Sequence, residues 1–380
     1  MLTHSILRWT RETHSYKIIF LEKKLNPKKI NIALLFGGRS AEHEISLLSA
    51  VSIYNNLDKK KFEITSIYIN KNGDWRVVES PLLSPSDLNK GQFFSFLAWR
   101  KNISPQTADA DIYFPVLHGP YGEDGTIQGL LEMAGVPFVG ASVMDSAVGM
   151  DKAMTKSILK AKNLPVVKHL IILEHDWTKQ RKSVLSKIKK ELPLPLFVKP
   201  ACLGSSVGIS KVKEDAKAAA ALDEAFRYDR KIIVEEGIKG RELECCVLGN
   251  ENPRVSLPGE IIPYREFYDY RDKYIEGKTR FGIPAELPSS QIKEIQRLST
   301  ETYRALCCSG MARVDFLMEE KTEKFFVSEI NTIPGFTEIS MYPKLWEVSG
   351  LPFPQLLEQL IELGFERHER KKRNEENFIA

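Results

Sequence analysis

Cysteine is scarce. Five of 380 residues are Cys (Cys202, Cys245, Cys246, Cys307 and Cys308), with no C-x-x-C pair and an odd total. That count excludes a disulfide-stapled framework and fits a reducing, cytoplasmic setting. No apolar run is long enough for a membrane-spanning helix. The first thirty residues lack both a clean apolar core and a small-residue cleavage site, so no signal peptide is read there. Excess charge is missing too. The net +4 comes from residues 1–29, which hold seven Lys/Arg and two Asp/Glu, while the remainder holds 47 against 48. A near-neutral body has no electrostatic footprint for nucleic acid. No zinc, haem or nucleophile motif competes for the chemistry.

What is present is an ordinary globular composition, 43% hydrophobic, in a chain long enough for two or three domains. The richest stretch is Arg313 to Gly335. Its β-like runs, 312–318 and 324–330, flank a charged turn and predict a hairpin. Side chains alternate along a strand, so Arg313 and Asp315 share one face, and so do Glu329 and Asn331. Antiparallel pairing can bring these faces together as two carboxylates and an amide oxygen beside one guanidinium. That oxygen set suits Mg²⁺ and is poor for zinc. A solvated hairpin with surface charges has the same pattern. Asn331-Thr-Ile-Pro-Gly335 then predicts a rigid turn able to aim a backbone N–H at a ligand.

Upstream, the pattern is βα. Ile30–Phe36 predicts a buried strand, then Gly37-Gly38-Arg39-Ser40 a turn, with Ser40 as N-cap of a helix carrying Leu47, Ala50, Val51, Tyr54 and Leu57. A strand, glycine turn and helix N-terminus make a ligand crevice in α/β sheets, although this is not G-x-G-x-x-G. Glu42 and Glu44 read most simply as helix-dipole partners. Strands are expected at 62–69, 112–117 and 136–139, with a mixed insertion over 76–110. The loop His118-Gly-Pro-Tyr-Gly-Glu-Asp-Gly125 follows the third of the four strands, where active-site loops sit.

A helix over 146–162 carries Met150-Asp151-Lys152. Strand 195–199 leads into Gly204-Ser-Ser-Val-Gly208, a loop whose N–H groups can cover phosphates but which lacks P-loop order. A helix over 214–226 and a strand over 231–235 precede the hinge-like Glu235-Glu-Gly-Ile238, and Glu242 starts the next strand. The aperiodic, aromatic and charged stretch 265–280 reads as a lid. Helices are expected at 289–307 and 353–366, then a charged tail.

These pieces, in this order, resemble the D-alanine–D-alanine ligases of the ATP-grasp superfamily over residues 30–365. The resemblance is carried by 37–46, 118–129, 150–152, 199–200, 204–208, Phe267-Tyr-Asp-Tyr270 with Lys273-Tyr274, and Glu329 to Thr337. It implies an α/β and α+β, three-domain ATP-grasp fold with an N-terminal parallel-sheet domain. The divisions it suggests are 1–29 (a disordered or weakly helical extension with no assigned function), 30–142, 143–236, 237–367 with the lid, and a tail at 368–380. The implied reaction joins two D-alanines with ATP through a D-alanyl phosphate, for peptidoglycan precursors.

Role by role, the resemblance assigns Asp315, Glu329 and Asn331 to two Mg²⁺ (or Mn²⁺), with Glu329 shared. Lys152 and Lys199 would reach phosphates, and Ser205, Ser206, Val207 and Gly208 would cover them. Glu235, Glu236 and Ile238 would form the adenine hinge, and Glu242 would contact ribose. Arg313 and the Gly335 N–H would stabilise the oxyanion. Glu44 and His118 fall in the first-substrate pocket, and Lys273 and Ser340 in the second. Tyr274, Ser205 and Glu44 would form a hydrogen-bonded triad tying the lid down. A homodimer is also implied. Two other readings keep the fold: a ligase using D-lactate or D-Ser as second substrate, and a catalytically silent ATP-binding subunit.

Overall fold

A computed structural model describes residues 29–93, 110–204, 207–263 and 279–379. Three sheets organise these residues. The first has strand order β4-β3-β2-β1-β5. Its strands are β1 (Ile30–Gly37), β2 (Phe62–Ile69), β3 (Trp75–Val78), β4 (Gln92–Phe93) and β5 (Ile112–Pro115). β1 pairs parallel with β2 and β5, whereas β3 and β4 add antiparallel. A central parallel strand is covered on both faces, which is why β1 is a continuous apolar run from Ile32 to Phe36. Leu34 and Phe36 pack into one cluster and Ala33 and Leu35 into the other.

Helix α1 (His43–Asn56) follows β1, and α2 (Thr126–Ala134) follows β5. Ser40 is not the N-cap: α1 starts three residues later, with Glu42 at the cap and no side-chain cap bond. The Ser40 hydroxyl instead donates to His118 O at 2.6 Å and accepts from Glu42 N at 3.1 Å, tying the two glycine loops together. Of the strand expected at 136–139, only a bridge between Phe138 and Tyr113 forms.

The helix expected over 146–162 is two, α3 (Val143–Met150) and α4 (Lys152–Ala161). Asp151 separates them: its φ/ψ of −86/97 is extended, and its carboxylate accepts from Ala153 N and Met154 N as the cap of α4. The second sheet, β6-β9-β7-β8, is antiparallel and comprises β6 (His169–Leu173), β7 (Leu196–Pro200), β8 (Ser210–Val212) and β9 (Lys231–Glu236). Helices α5 (Glu174–Glu191) and α6 (Ala218–Ala225) pack on it.

The third sheet runs β13-β12-β10-β14-β15, with β11 beside β10. Its strands are β10 (Gly240–Leu248), β11 (Arg254–Val255), β12 (Gly259–Ile262), β13 (Arg280–Gly282), β14 (Met311–Glu319) and β15 (Phe325–Asn331). Helix α7 (Ser289–Ala305) covers one face and stops short of the expected 307, where Cys307 turns to φ 55. Helices α8 (Met341–Val348) and α9 (Phe353–Ile379) follow. α9 continues through the stretch expected as a tail. Its Leu356, Leu357, Leu360 and Ile361 share one core with β1, β5, Leu248 and Met311, so the first and third sheets are joined by a common hydrophobic cluster.

Candidate active site

All three sheets meet at one cleft. It is lined by Glu42, His118 and Glu123 from the first unit, Gly204 from the second, and Glu244, Arg313, Glu329 and Asn331 from the third. The predicted hairpin forms as β14–β15, with Arg313 opposite Asn331 and Asp315 opposite Glu329. Arg313 grips Asp315 through Nε and Nη2, both at 2.7 Å, and Asn331 Nδ2 donates to Asp315 Oδ2 at 2.9 Å. Burial would lower the Arg313 pKa, but the charges of Asp315 and Glu244 outweigh it and hold the guanidinium well above its ordinary value.

Glu329 faces a different cation. Lys152 Nζ lies 3.2 Å from Glu329 Oε2 and donates to Leu203 O at 2.7 Å. The loop after β7 is thereby tied to the hairpin. Among the described residues, no three His, Cys, Asp or Glu converge as a metal site. The set actually present, two carboxylates and an amide, is hard and oxygen-rich and fits Mg²⁺ or Mn²⁺.

Behind the cleft lies a buried ion triad. Glu235, 2% exposed, meets Lys156 Nζ at 2.8 Å through Oε1 and Lys199 Nζ at 2.7 Å through Oε2. Burial would raise the Glu235 pKa, yet the two ammoniums push it well below the usual carboxylate range. Beyond it, Glu236 N donates to Lys168 O at 3.0 Å and Gly237 N to Pro195 O at 2.7 Å, which pins the hinge before Ile238. Glu242 sits on β10 opposite Leu317. Val207 N donates to Gly204 O at 3.3 Å, and Gly208 takes φ 72 against the Pro200 ring, a conformation that favours glycine. Ser205 and Ser206 lie outside the described residues. So do Lys273, Tyr274 and most of the expected lid.

On the opposite wall, His118 is buried, with Nε2 3.0 Å from Ser49 Oγ and Nδ1 3.1 Å from Ile333 O. Burial lowers its pKa, against the pull of Glu42. Gly335 lies two residues beyond Ile333, and a Cβ there would lie 2.7 Å from Ser340 Oγ, so the turn and Ser340 are in contact. Ser340 Oγ also accepts from Thr337 N at 3.0 Å. Glu44 is not brought into the cleft: it is exposed and pairs with Lys71 at 2.9 Å. Glu42 lines the cleft instead. Glu123 is pushed up to about 8 by burial and by the charge of Glu42, although Gly119 N donates to it at 2.6 Å.

Sequence reasoning passed over Lys156, Glu123 and Glu244. A signal existed for two of them. Lys156 is one helical turn beyond Lys152, and Glu244 is two strand positions beyond Glu242.

The three sheets around this charged cleft define an ATP-grasp fold. Residues 31–141 match the family described as D-ala D-ala ligase N-terminus, and residues 158–362 match D-ala D-ala ligase C-terminus. Similar curated proteins include a D-alanine–D-alanine ligase of Solibacter usitatus, 50% identical over 90% of this chain and 98% of its own length. That of Natranaerobius thermophilus is 46% identical over 92% and 99%. The D-alanine–D-alanine ligase structure from Coxiella burnetii superposes with a TM-score of 0.80 at 40% identity, covering 92% of this chain and 98% of that one. VanG D-Ala:D-Ser ligase from Enterococcus faecalis gives 0.77 at 34% identity over 89% and 100%. The chain belongs to the D-alanine–D-alanine ligase family.

Proposed function

We propose that this protein is an ATP-dependent ligase that joins two D-alanines, with release of ADP and phosphate. A carboxylate is a poor acyl donor because its oxide leaves badly. Transfer of the γ-phosphoryl group onto the first D-alanine makes an acylphosphate, and the amine of the second attacks its carbonyl carbon. The C–O bond to phosphate breaks, phosphate leaves, and the attacking amine nitrogen gives up one proton and keeps the other as the peptide N–H. Phosphoryl transfer depends on positioning and charge neutralisation more than on covalent catalysis.

The observation that carries this reading is the juxtaposition of Asp315, Glu329, Asn331 and Arg313 with Lys152 across the cleft. Asp315, Glu329 and Asn331 would hold two Mg²⁺ or Mn²⁺, which supply countercharge for the triphosphate. Lys152 and Lys199 would bind phosphate oxygens, and the hinge from Glu235 to Ile238 would meet adenine. Glu242 would contact the ribose. Ser205 to Gly208 would cover the phosphates. Arg313 and the Gly335 N–H would meet the oxyanion. His118 would orient the first substrate and Ser340, with Lys273, the second. Tyr274 would tie the lid to Ser205, without Glu44, which pairs with Lys71 outside the cleft.

The division at about residues 142 and 236, a homodimer and a cytoplasmic location belong to the same proposal. No helix among the described residues is long and apolar enough to cross a membrane. Phosphate release with ATP and D-alanine tests the assignment, run in parallel with D-Ser and D-lactate as second substrates. Equimolar phosphate and D-alanyl-D-alanine are expected. Absence of D-alanine-dependent release would refute it, and preference for D-Ser or D-lactate would reassign the second pocket.

A further inference from the structure

Glu244 is a cleft carboxylate to which the reading above gives no task. It lies on β10 directly opposite Asp315 and is 5% exposed. Its Oε2 is 3.2 Å from Arg313 Nε, the nitrogen that also donates to Asp315 at 2.7 Å. One guanidinium therefore serves two carboxylates. Burying a carboxylate is costly unless a cation repays it, and Asp315 alone already neutralises Arg313. A second anion on the same cation calls for an explanation.

The explanation rests on the proposed function. In that reading Asp315 has two claimants, Arg313 and a divalent ion. Asp315 now spends both oxygens on Arg313 and Asn331. Turning them to a metal would strip a partly buried guanidinium of its main partner and place a like charge beside it. We infer that Glu244 is a positioning residue that keeps Arg313 neutralised and aimed into the cleft when Asp315 is released to the metal. Its location suits this task. β10 is the neighbour of β14 on the side away from β15, so Glu244 reaches Arg313 from the flank opposite Glu329 and Asn331. The third sheet fixes that separation, because β14 is hydrogen-bonded to β10 on one side, in unbroken register, and to β15 on the other, with a register shift after Asp315. Outer partners of metal ligands commonly tune metal affinity and activity in this way.

The test measures Mn²⁺ binding by electron paramagnetic resonance, with saturating ADP, on the full chain. Glu244→Gln keeps the shape and removes the charge. It should weaken Mn²⁺ binding about tenfold and lower kcat about tenfold at saturating metal, with KM for ATP moved less than about twofold. Glu244→Asp keeps the charge and should recover most of both. A purely structural role would not be rescued selectively by charge. Glu244→Gln binding Mn²⁺ and turning over like wild type overturns the inference, and so does a Glu244→Asp variant as impaired as Glu244→Gln. A loss as complete as that of Asp315→Asn would make Glu244 a ligand, which also overturns it. Asp315→Asn is the control: if it binds Mn²⁺ normally, the metal reading itself fails. If Asp315→Asn loses the metal and Glu244→Gln does not, only the positioning role falls.

Discussion

Glu235→Gln should be far more damaging than Lys156→Met, although both break the same contact. Glu235 is held between Lys156 at 2.8 Å and Lys199 at 2.7 Å, and the Lys156 side chain is 1% exposed. Removing the anion leaves two ammoniums facing an amide. Lys199, with 16% of its side chain exposed, can turn toward the cleft, whereas Lys156 cannot. Breaking a buried pair from one side costs about 3–5 kcal/mol, and that cost falls on Lys156. Lys156→Met leaves a neutral Glu235–Lys199 pair and removes a desolvated ammonium, so about 1–2 kcal/mol is expected. The double variant should be more stable than Glu235→Gln alone, a non-additivity of about 1–3 kcal/mol. Native-state hydrogen exchange at the amides of β7 and β9 reads this locally, which matters in a chain with several hydrophobic clusters.

The pH dependence gives a second readout. The native Glu235 pKa is depressed, so its contribution is present above the ordinary Glu value and is lost as pH falls through the native one. In Glu235→Gln, Lys156 has lost its counter-ion and sheds its proton in the folded state while the unfolded chain keeps it. Stability should then rise with pH up to about 10.4, the ordinary lysine value. A Glu235→Gln variant that costs under about 1 kcal/mol and shows no such slope would refute the reasoning.

Three other outcomes are expected. Glu123, with a native pKa of about 8 against an ordinary 4.5, binds its proton more tightly when folded, so stability falls as pH rises across that window. Glu123→Gln should remove that slope and stabilise the protein above pH 8 by about 1–3 kcal/mol, the charge shared with Glu42 keeping the gain below the full shift; thermal scans at several pH values check it. Glu329→Gln should abolish turnover and weaken Mn²⁺ binding in the presence of ADP while leaving the melting temperature within a few degrees, since Glu329 is partly exposed. Tyr274→Phe, outside the described residues, should lose about 1 kcal/mol of preference for the amine over D-lactate, read as the ratio of the two products near pH 6 and near pH 8.

Local periodicity made much of this protein legible. Arg313 and Asp315 share a face because a strand alternates, and a charged turn between apolar runs folds back on itself; both follow from residues adjacent in the chain. The glycine loops at 37, 119 and 208 likewise announce positive-φ turns, which other residues adopt at a cost. Asp151 was legible in principle, since a capping residue inside a helical pattern marks a boundary, but the apolar spacing ran through it and concealed the break. What tertiary structure alone decided is which charges meet. Lys156 finds Glu235 only because α4 packs beneath β9, and Glu244 finds Arg313 only because β10 pairs with β14 and not with β15. Glu42, the cap residue of α1, lines the cleft, whereas Glu44 in its first turn pairs with Lys71 outside it. Sequence spacing carries the period of one element, whereas ion pairs between elements depend on strand order and helix docking, set by burial over the whole core.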